Sequence, residues 1–563
     1  MSTSPSRRKF LSTVAAGTAA IAAGAGLSGC SDDVQPSNSV KFLHGVASGD
    51  PLANAVILWT RVTPEKAEAV DLFWQVATDQ AFTSVIREGQ VSATPERDFT
   101  AKVDATGLSA GTVYFYRFRY AQTLSPVGRT KTLPAAGVAQ IKLAVFSCSN
   151  YPAGFFNVYG DAARQTDIDA AIHLGDYIYE YNSTGYASAG AAALGRVSDP
   201  VNEILSSADY RKRHAQYRTD PDLQALHAAM PMICVWDDHE IANDAWRDGA
   251  ENHTPATEGA WAARKAAALQ AYHDWMPIRT PDASNLERIY RSFNFGDLAS
   301  LHMLDTRIIG RDLQVEIESF VTAGGGFDAA GFAAAVGNPA RQLLGSTQTA
   351  WLQGQMTTST ALWQILGQQV LMGRMNIPAP IALQQISVGD YAALAAIAQT
   401  APQNLTPTQL AILQAPAIPY NLDAWDGYQA ARETVLGTAR AAGKNLVVLA
   451  GDTHNAWAND LLDLQGNQVG VEFATPSVSS PGFETIFPNE NPAVFAAGIE
   501  QLIGPLQYTD TSRRGYMVVT ANRTEVRADW RFVSTVSSRT YTTTVGKSLK
   551  ALPGTGNRRI VAV

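Results

Sequence analysis

The sequence predicts an α/β protein in which mixed sheets are flanked by helices, with a small β-sandwich placed ahead of them. Three observations predict it. Short β-branched and aromatic runs fill the first part of the chain, a strand, loop, helix rhythm follows Val138, and ionisable residues cluster where the apolar strands of that rhythm end.

Residues 1–30 are set aside before fold reasoning, because they read as an export signal. Ser6-Arg7-Arg8-Lys9-Phe10-Leu11 is a twin-arginine pattern, and the Ala/Gly-rich stretch after it is weak and short for a membrane span. Leu27-Ser28-Gly29-Cys30 resembles the bacterial lipoprotein box, whose Cys is lipidated and becomes the mature N-terminus. The expectation is export by the twin-arginine route to the periplasm or cell surface, with membrane contact only through a lipid on Cys30. Gly24-Ala25-Gly26-Leu27-Ser28-Gly29 matches a dinucleotide fingerprint, but no strand precedes it and no acidic partner follows, so that reading fails.

Residues 31–40 are Ser/Asp/Asn/Pro-rich and read as a linker. From 41 to 135, runs such as Ala55-Val56-Ile57-Leu58-Trp59 and Leu72-Phe73-Trp74-Gln75-Val76 alternate with turn residues, which suggests an immunoglobulin-like sandwich domain. A second domain is expected over 140–535. Its strands are read from Leu143 to Phe146, Ile168 to Leu174, Met232 to Trp236, Leu298 to Leu304, Trp363 to Leu366 and Leu446 to Ala450, with a helix from Trp261 to Trp275. Stretches near 315–340 and 376–420 are Gly/Ala/Pro/Gln-rich and read as insertions or lids, and 536–563 as a C-terminal tail.

An apolar fraction of 46% with 17% charged residues is ordinary for a large globular protein, so a sizeable core is expected. The net charge of −8 offers no basic face, which argues against specific nucleic-acid recognition. An acidic protein still binds an anionic substrate when cations in the site carry the attraction. With Cys30 committed to lipid, Cys148 and Cys234 need separate explanations. Cys234 lies in an apolar run and reads as a small buried hydrophobe, whereas Cys148 sits at a strand end among polar residues.

The strand ends carry the chemistry. They read Ser147-Cys148-Ser149-Asn150, Gly175-Asp176-Tyr177-Ile178-Tyr179-Glu180, Asp237-Asp238-His239-Glu240 and Gly451-Asp452-Thr453-His454-Asn455. In an open α/β sheet the ligand crevice lies outside the carboxyl ends of strands, so these four clusters can converge. Thiolate, carboxylate, phenolate and imidazole together form a metal-ligand inventory. Taken singly, each has an ordinary explanation as a cap, a packed thiol or a buried His. Four clusters at four strand ends are not explained that way.

The order of these motifs resembles the alkaline phosphatase D (PhoD-like) family of calcineurin-like metallophosphoesterases. The resemblance runs from about Phe42 to Trp530 and includes Gly45-Val46-Ala47-Ser48-Gly49-Asp50-Pro51, Asp305-Thr306-Arg307 and Ala474-Thr475-Pro476-Ser477. It implies a four-layer sandwich fold and a phosphoesterase that hydrolyses phosphate mono- or diesters by metal-activated water. Its substrates would be small phosphoesters, with phospholipid or nucleotide-derived diesters among the candidates.

The resemblance also implies roles. Cys148, Asp176, Tyr179 and His454 would hold one metal and Asp176, Asp238 and Asp452 a second, with Asp176 bridging and His239 beside the phosphate as catalytic residue. An oxygen-only second site suits a hard ion such as Ca²⁺, and thiolate with phenolate suits a transition metal. The family implies Fe³⁺ with Ca²⁺; the ligands alone indicate only a mixed site, in which Zn²⁺ or another divalent ion is an alternative. Asn150, Glu180, Asp237, Asn243, Asp244, Gln368 and Gln369 are candidates for supporting or substrate-contacting positions. Two alternatives stand beside this reading: a phospholipase-D-like phosphodiesterase, and a surface-anchored binding lipoprotein with an inactive α/β domain. The complete ligand set argues against the second.

Overall fold

The computed structural model describes residues 38–323 and 326–563. The signal over 1–30, Cys30 and most of the 31–40 linker lie outside the described residues. Among the described residues no helix is long and apolar enough to cross a membrane.

Two sheets form the centre. The first has ten strands in the order Ile560–Ala562, Thr543–Ala551, Val526–Val533, Gly515–Asn522, Gln140–Phe146, Ala170–His173, Met232–Cys234, Val46–Gly49, Ala55–Arg61 and Thr100–Thr106. The second has seven: Arg291–Phe295, Ala299–Met303, Trp363–Gly367, Asn445–Ala450, Gln468–Ala474, Ala456–Leu462 and Leu506–Asp510. The strands that end in the polar clusters run parallel to their neighbours, Gln140–Phe146 with Ala170–His173 and Met232–Cys234 in one sheet, Trp363–Gly367 with Asn445–Ala450 in the other.

The strands are apolar on both faces because both faces are covered. Val447 and Leu449 join Leu143, Val145 and Ile172 in the core between the sheets. Their alternates Leu446, Val448 and Ala450 face the opposite way, against Leu352 and Met356 of helix Gly345–Thr358 and Val435, Leu436 and Ala439 of helix Gln429–Ala441. On the other side Tyr159, Leu223 and Leu226 come from helices Asn157–Ala163 and Pro221–Ala229. Helix, sheet, sheet and helix make the four layers expected.

Two boundaries differ from expectation. The N-terminal region is a sandwich: a five-stranded sheet containing Val70–Ala77 and Val113–Tyr120 packs Leu72, Val76, Tyr116 and Phe118 against Val56 and Leu58. Its other sheet, however, is the end of the ten-stranded one, joined where Val46–Gly49 pairs with Met232–Cys234 at Gly49 and Met232. The join needs glycine: a Cβ on residue 49 would lie 2.6 Å from the Met232 carbonyl and 2.1 Å from that of Pro277. The N-terminal sandwich is therefore hydrogen-bonded into the main sheet.

The second difference is at the C-terminus. Residues 536–563 are no tail, because Thr543–Ala551 pairs with Val526–Val533 and Ile560–Ala562 pairs with Thr543–Ala551. Only Leu549, Ala551 and Ile560 of the two strands reach the core, which is why the segment reads as polar.

The two expected insertions have structure of their own. Asn376–Pro378 pairs with Ala417–Pro419, and Ala379 and Ile418 pack with Phe332 and Val336 of helix Ala329–Val336.

Candidate functional site

Each of the four clusters sits in a loop leaving a parallel strand, three from the ten-stranded sheet and one from the seven-stranded sheet. Backbone hydrogen bonds tie the loops together: Cys148 N–H donates to Gly175 O (3.2 Å), Ser149 N–H to Asp176 O (2.9 Å), and Ser480 N–H to Cys148 O (3.3 Å). The buried Glu240 carboxylate accepts from the N–H groups of Asp176 (3.0 Å), Tyr177 (2.6 Å) and Asp237 (2.8 Å), so it latches two loops and is not itself exposed to substrate.

The Gly-Asp pairs have a steric cause. At Gly175 (φ 114°) a Cβ would meet the Asp237 N and Cβ at 2.4 Å, and at Gly451 it would meet the Ser147 Cβ at 2.6 Å. Cys148, Asp176, Asp452 and His454 all hold left-handed backbone, with φ of 61°, 55°, 65° and 63°. Each costs roughly 1–2 kcal/mol for a residue with a Cβ. Such strain collects where function requires a side chain to be aimed.

Side chains of the four clusters come together in three groups. Cys148, Asp176 and His454 present ligand atoms within 4.8 Å of one another, and so do Asp176, Asp238 and His239, and Asp237, Asp238 and Asp452. Asp176 belongs to two of these groups and Asp238 to two. The Tyr179 hydroxyl donates to Asp176 Oδ2 (3.0 Å) and lies 3.3 Å from His454 Nε2 and 2.7 Å from Ser480 Oγ.

These donors fit metal ions on three observations. Asp176 Oδ1, Asp237 Oδ2 and Asp238 Oδ1 are buried with no hydrogen-bond partner, a costly state unless a cation completes it. His454 Nδ1 lies 2.8 Å from the Pro481 carbonyl, so it carries the proton and leaves the Nε2 lone pair toward Tyr179 and Asp176, as metal-ligating imidazoles do. Burial also keeps that ring neutral, lowering its pKa to about 3.

The third observation is electrostatic. Burial, reinforced by neighbouring carboxylates, drives Asp176 and Asp452 well above the usual carboxylate range. Burial and the Asp176 charge likewise push up the Cys148 thiol and the Tyr179 phenol. Cations placed among these groups would reverse every one of those shifts.

One cation is built in. The guanidinium of Arg307 is fully buried and contacts Asp237, Asp423 (2.7 Å), Asp452 (2.9 Å) and, more distantly, Asp238 (3.8 Å), and Arg311 also pairs with Asp423. Asp176, Asp237, Asp238, Asp423 and Asp452 still outnumber these two arginines. Neither Arg307 nor Asp423 was read from the sequence as a site residue. Asp423 follows only the three-residue strand Ala417–Pro419, which has no apolar run to mark it, so the strand-end rule passes over it; Arg307 lies in the Asp305-Thr306-Arg307 motif, where nothing signals its charge partners.

His239 lines a cleft of about 230 Å³ with Tyr181, Tyr186, Asn243, Thr453 and His454. Its Nδ1 lies 2.7 Å from Glu180 Oε2, and its ring stacks on Tyr179 at 4.2 Å between centroids. Burial alone would lower its pKa, but Asp238, Glu180 and Asp176 outweigh burial and raise it well above the ordinary value, which favours the imidazolium form. Glu180 is held in turn by Asn243 N–H (2.8 Å) and Asn252 Nδ2 (2.8 Å).

The remaining candidates divide. Asp244 N–H donates to Asp238 Oδ2 (2.7 Å), which orients that carboxylate. Asn150 is buried beside Cys148, with Oδ1 unpartnered. Gln368 and Gln369 are not available to a ligand. Gln368 bonds the Val370 carbonyl (2.5 Å) and Trp425 Nε1 (3.0 Å), and Gln369 bonds Thr306 and the Trp236 and Leu304 carbonyls. Both hold loops in place.

Comparison with known proteins gives concordant matches. Residues 143–530 match the family model described as PhoD-like phosphatase, and 29–134 match that of the PhoD-like phosphatase N-terminal domain. The chain is 35% identical over 523 residues to alkaline phosphatase D of Bacillus subtilis (strain 168), covering 89% of this chain and 79% of that protein. A solved structure titled "Structure of PhoD" superimposes with a TM-score of 0.75 at 33% identity, covering 92% of each chain.

Proposed function

Because this chain belongs to the PhoD-like phosphatase family, and is thereby a hydrolase of phosphoric esters, we propose that it cleaves phosphate mono- or diesters at the strand-end cleft with two metal sites. Cys148, Asp176, Tyr179 and His454 would hold one ion and Asp176, Asp238 and Asp452 the other. The observation that carries this reading is the convergence of two donor groups on Asp176, with buried carboxylate oxygens left unpaired. Thiol, phenol and imidazole suit a transition metal and oxygen donors alone a hard ion such as calcium, and iron at the first site is what the family resemblance implies. Bound there, the cations would neutralise phosphate oxygens and acidify the attacking water.

The protein's own groups do the rest. With Nδ1 committed to Glu180, His239 offers Nε2 to the substrate. As an imidazolium it can stabilise charge on the phosphoryl oxygens and pass its proton to the departing alkoxide. Glu180 holds the ring's orientation and Tyr179 supports its face, so His239 needs no reorganisation when substrate arrives. Arg307 keeps Asp452 aligned through its 2.9 Å bond. The test is His239→Ala. Metal content is expected to stay as in wild type and the protein to remain folded with a lowered thermal midpoint, because the buried Glu180 loses its partner, while kcat on p-nitrophenyl phosphate falls by about 10²–10⁴-fold. A variant with near wild-type kcat would remove His239 from the mechanism.

Export by the twin-arginine route and anchoring through a lipid on Cys30 are proposed on the motifs alone. Two acyl chains hold a protein on a membrane without packing contacts. Cys30→Ser is therefore expected to move active enzyme from the membrane fraction to the soluble one, and an unchanged membrane fraction would contradict anchoring.

A further inference from the structure

An apolar cavity of about 310 Å³ lies next to the cleft that holds His239 and His454, between the segment 376–384 and helix Pro492–Leu502. Ile377, Ile381, Trp457, Phe495 and Ile499 form its walls. An apolar void left by deleting one large side chain measures about 150 Å³, so this space exceeds a packing defect and reaches the size range of small-molecule sites, about 300–1,000 Å³.

The cavity is joined to the site. Phe483 and Ile486 line both spaces, and Ile486 is 55% exposed at the shared mouth. Trp457, in the cavity wall, donates from Nε1 to Thr453 Oγ1 (2.8 Å), and Thr453 stands between Asp452 and His454 and lines the cleft. Phe483 N–H is anchored by Asn455 Oδ1 (3.2 Å) in the same loop. A phosphoester seated against His239 would have its second substituent beside Phe483 and Ile486. The Tyr420 hydroxyl is buried without a partner in this wall, which Gln384 and Asn421 also line, and stands ready to meet an ester oxygen.

We propose that this cavity is the subsite for the apolar substituent of the substrate, which makes the preferred substrate a phosphodiester carrying a short alkyl or aryl group. The proposal rests on the phosphoesterase reading above and adds the substrate class. It also gives the 376–420 insertion a role, since Ile377, Ile381 and Ala382 come from its first turn of chain. Transfer of apolar surface from water is worth roughly a factor of four in binding for each methylene enclosed.

The test uses the full-length metal-loaded enzyme and a series of p-nitrophenyl phosphodiesters whose second substituent is methyl, butyl or hexyl. In wild type kcat/KM is expected to rise at least about thirtyfold from methyl to hexyl, the worth of two to three enclosed methylenes. Ala382→Trp fills the cavity from its wall and is expected to flatten the series while leaving the methyl ester unchanged; Ala382→Leu, a milder filling, should flatten it in part. A flat series in wild type, or a rise that survives both substitutions in folded protein, would overturn the subsite. Failure of wild type to cleave any of the diesters and p-nitrophenyl phosphate as well would overturn the phosphoesterase reading instead, so the two failures are distinguishable.

Discussion

Asp176→Asn is expected to abolish phosphoester hydrolysis and to lower the content of both metals together. Asp176 is the carboxylate common to the thiol-imidazole group and the Asp238-His239 group. One of its oxygens accepts from Tyr179 at 3.0 Å and the other is buried with no partner. Asparagine keeps the shape and removes the charge that would be shared between two cations. The loss of turnover is expected to be at least about 10²–10³-fold, the scale for removing one well-placed electrostatic group from a transition state.

The substitution should not unfold the protein. Burial and the neighbouring carboxylates already drive Asp176 toward its protonated form, so a neutral amide relieves crowding, and the metal-free variant should melt no lower than metal-free wild type. If Asp176 were only a core hydrogen-bonding group, the reverse would hold: about 1–2 kcal/mol of stability lost with turnover retained. Metal analysis, thermal midpoint and p-nitrophenyl phosphate hydrolysis on one preparation separate the two cases.

The strand-end clusters are legible because each apolar run stops abruptly and a carboxylate, a thiol or an imidazole follows within one or two residues. The stops are sharp for a physical reason: residues such as Gly175 and Gly451 let one loop pass within contact of the next, and any Cβ there would collide. How the strands divide between two sheets was not legible. A strand buried on both faces, such as Trp363–Gly367 or Met232–Cys234, carries no alternation to say which neighbour it pairs with.

Charge partners far apart in sequence were equally hidden. Arg307 and Asp423 are 116 residues apart and meet at 2.7 Å inside the protein, and neither sits in a pattern that announces a buried ion pair. Gln368 and Gln369 show the converse. They stand at the right place after a strand, yet backbone and side-chain groups of the loops consume both amides. The C-terminal strands escape a sequence reading because strands near the sheet edge with few core contacts, such as Thr543–Ala551 and the edge strand Ile560–Ala562, have nearly the composition of a loop.

The central claim is that buried carboxylates, a thiol, a phenol and an imidazole are gathered at one place to hold the cations on which hydrolysis depends. The most direct measurement is the rate of p-nitrophenyl phosphate hydrolysis read against moles of metal per mole of protein during exhaustive chelation and reloading. The expected result is a rate that falls with the metal to at most about one hundredth of its starting value and returns on adding iron and calcium. Undiminished turnover by protein that elemental analysis finds free of metal would contradict it.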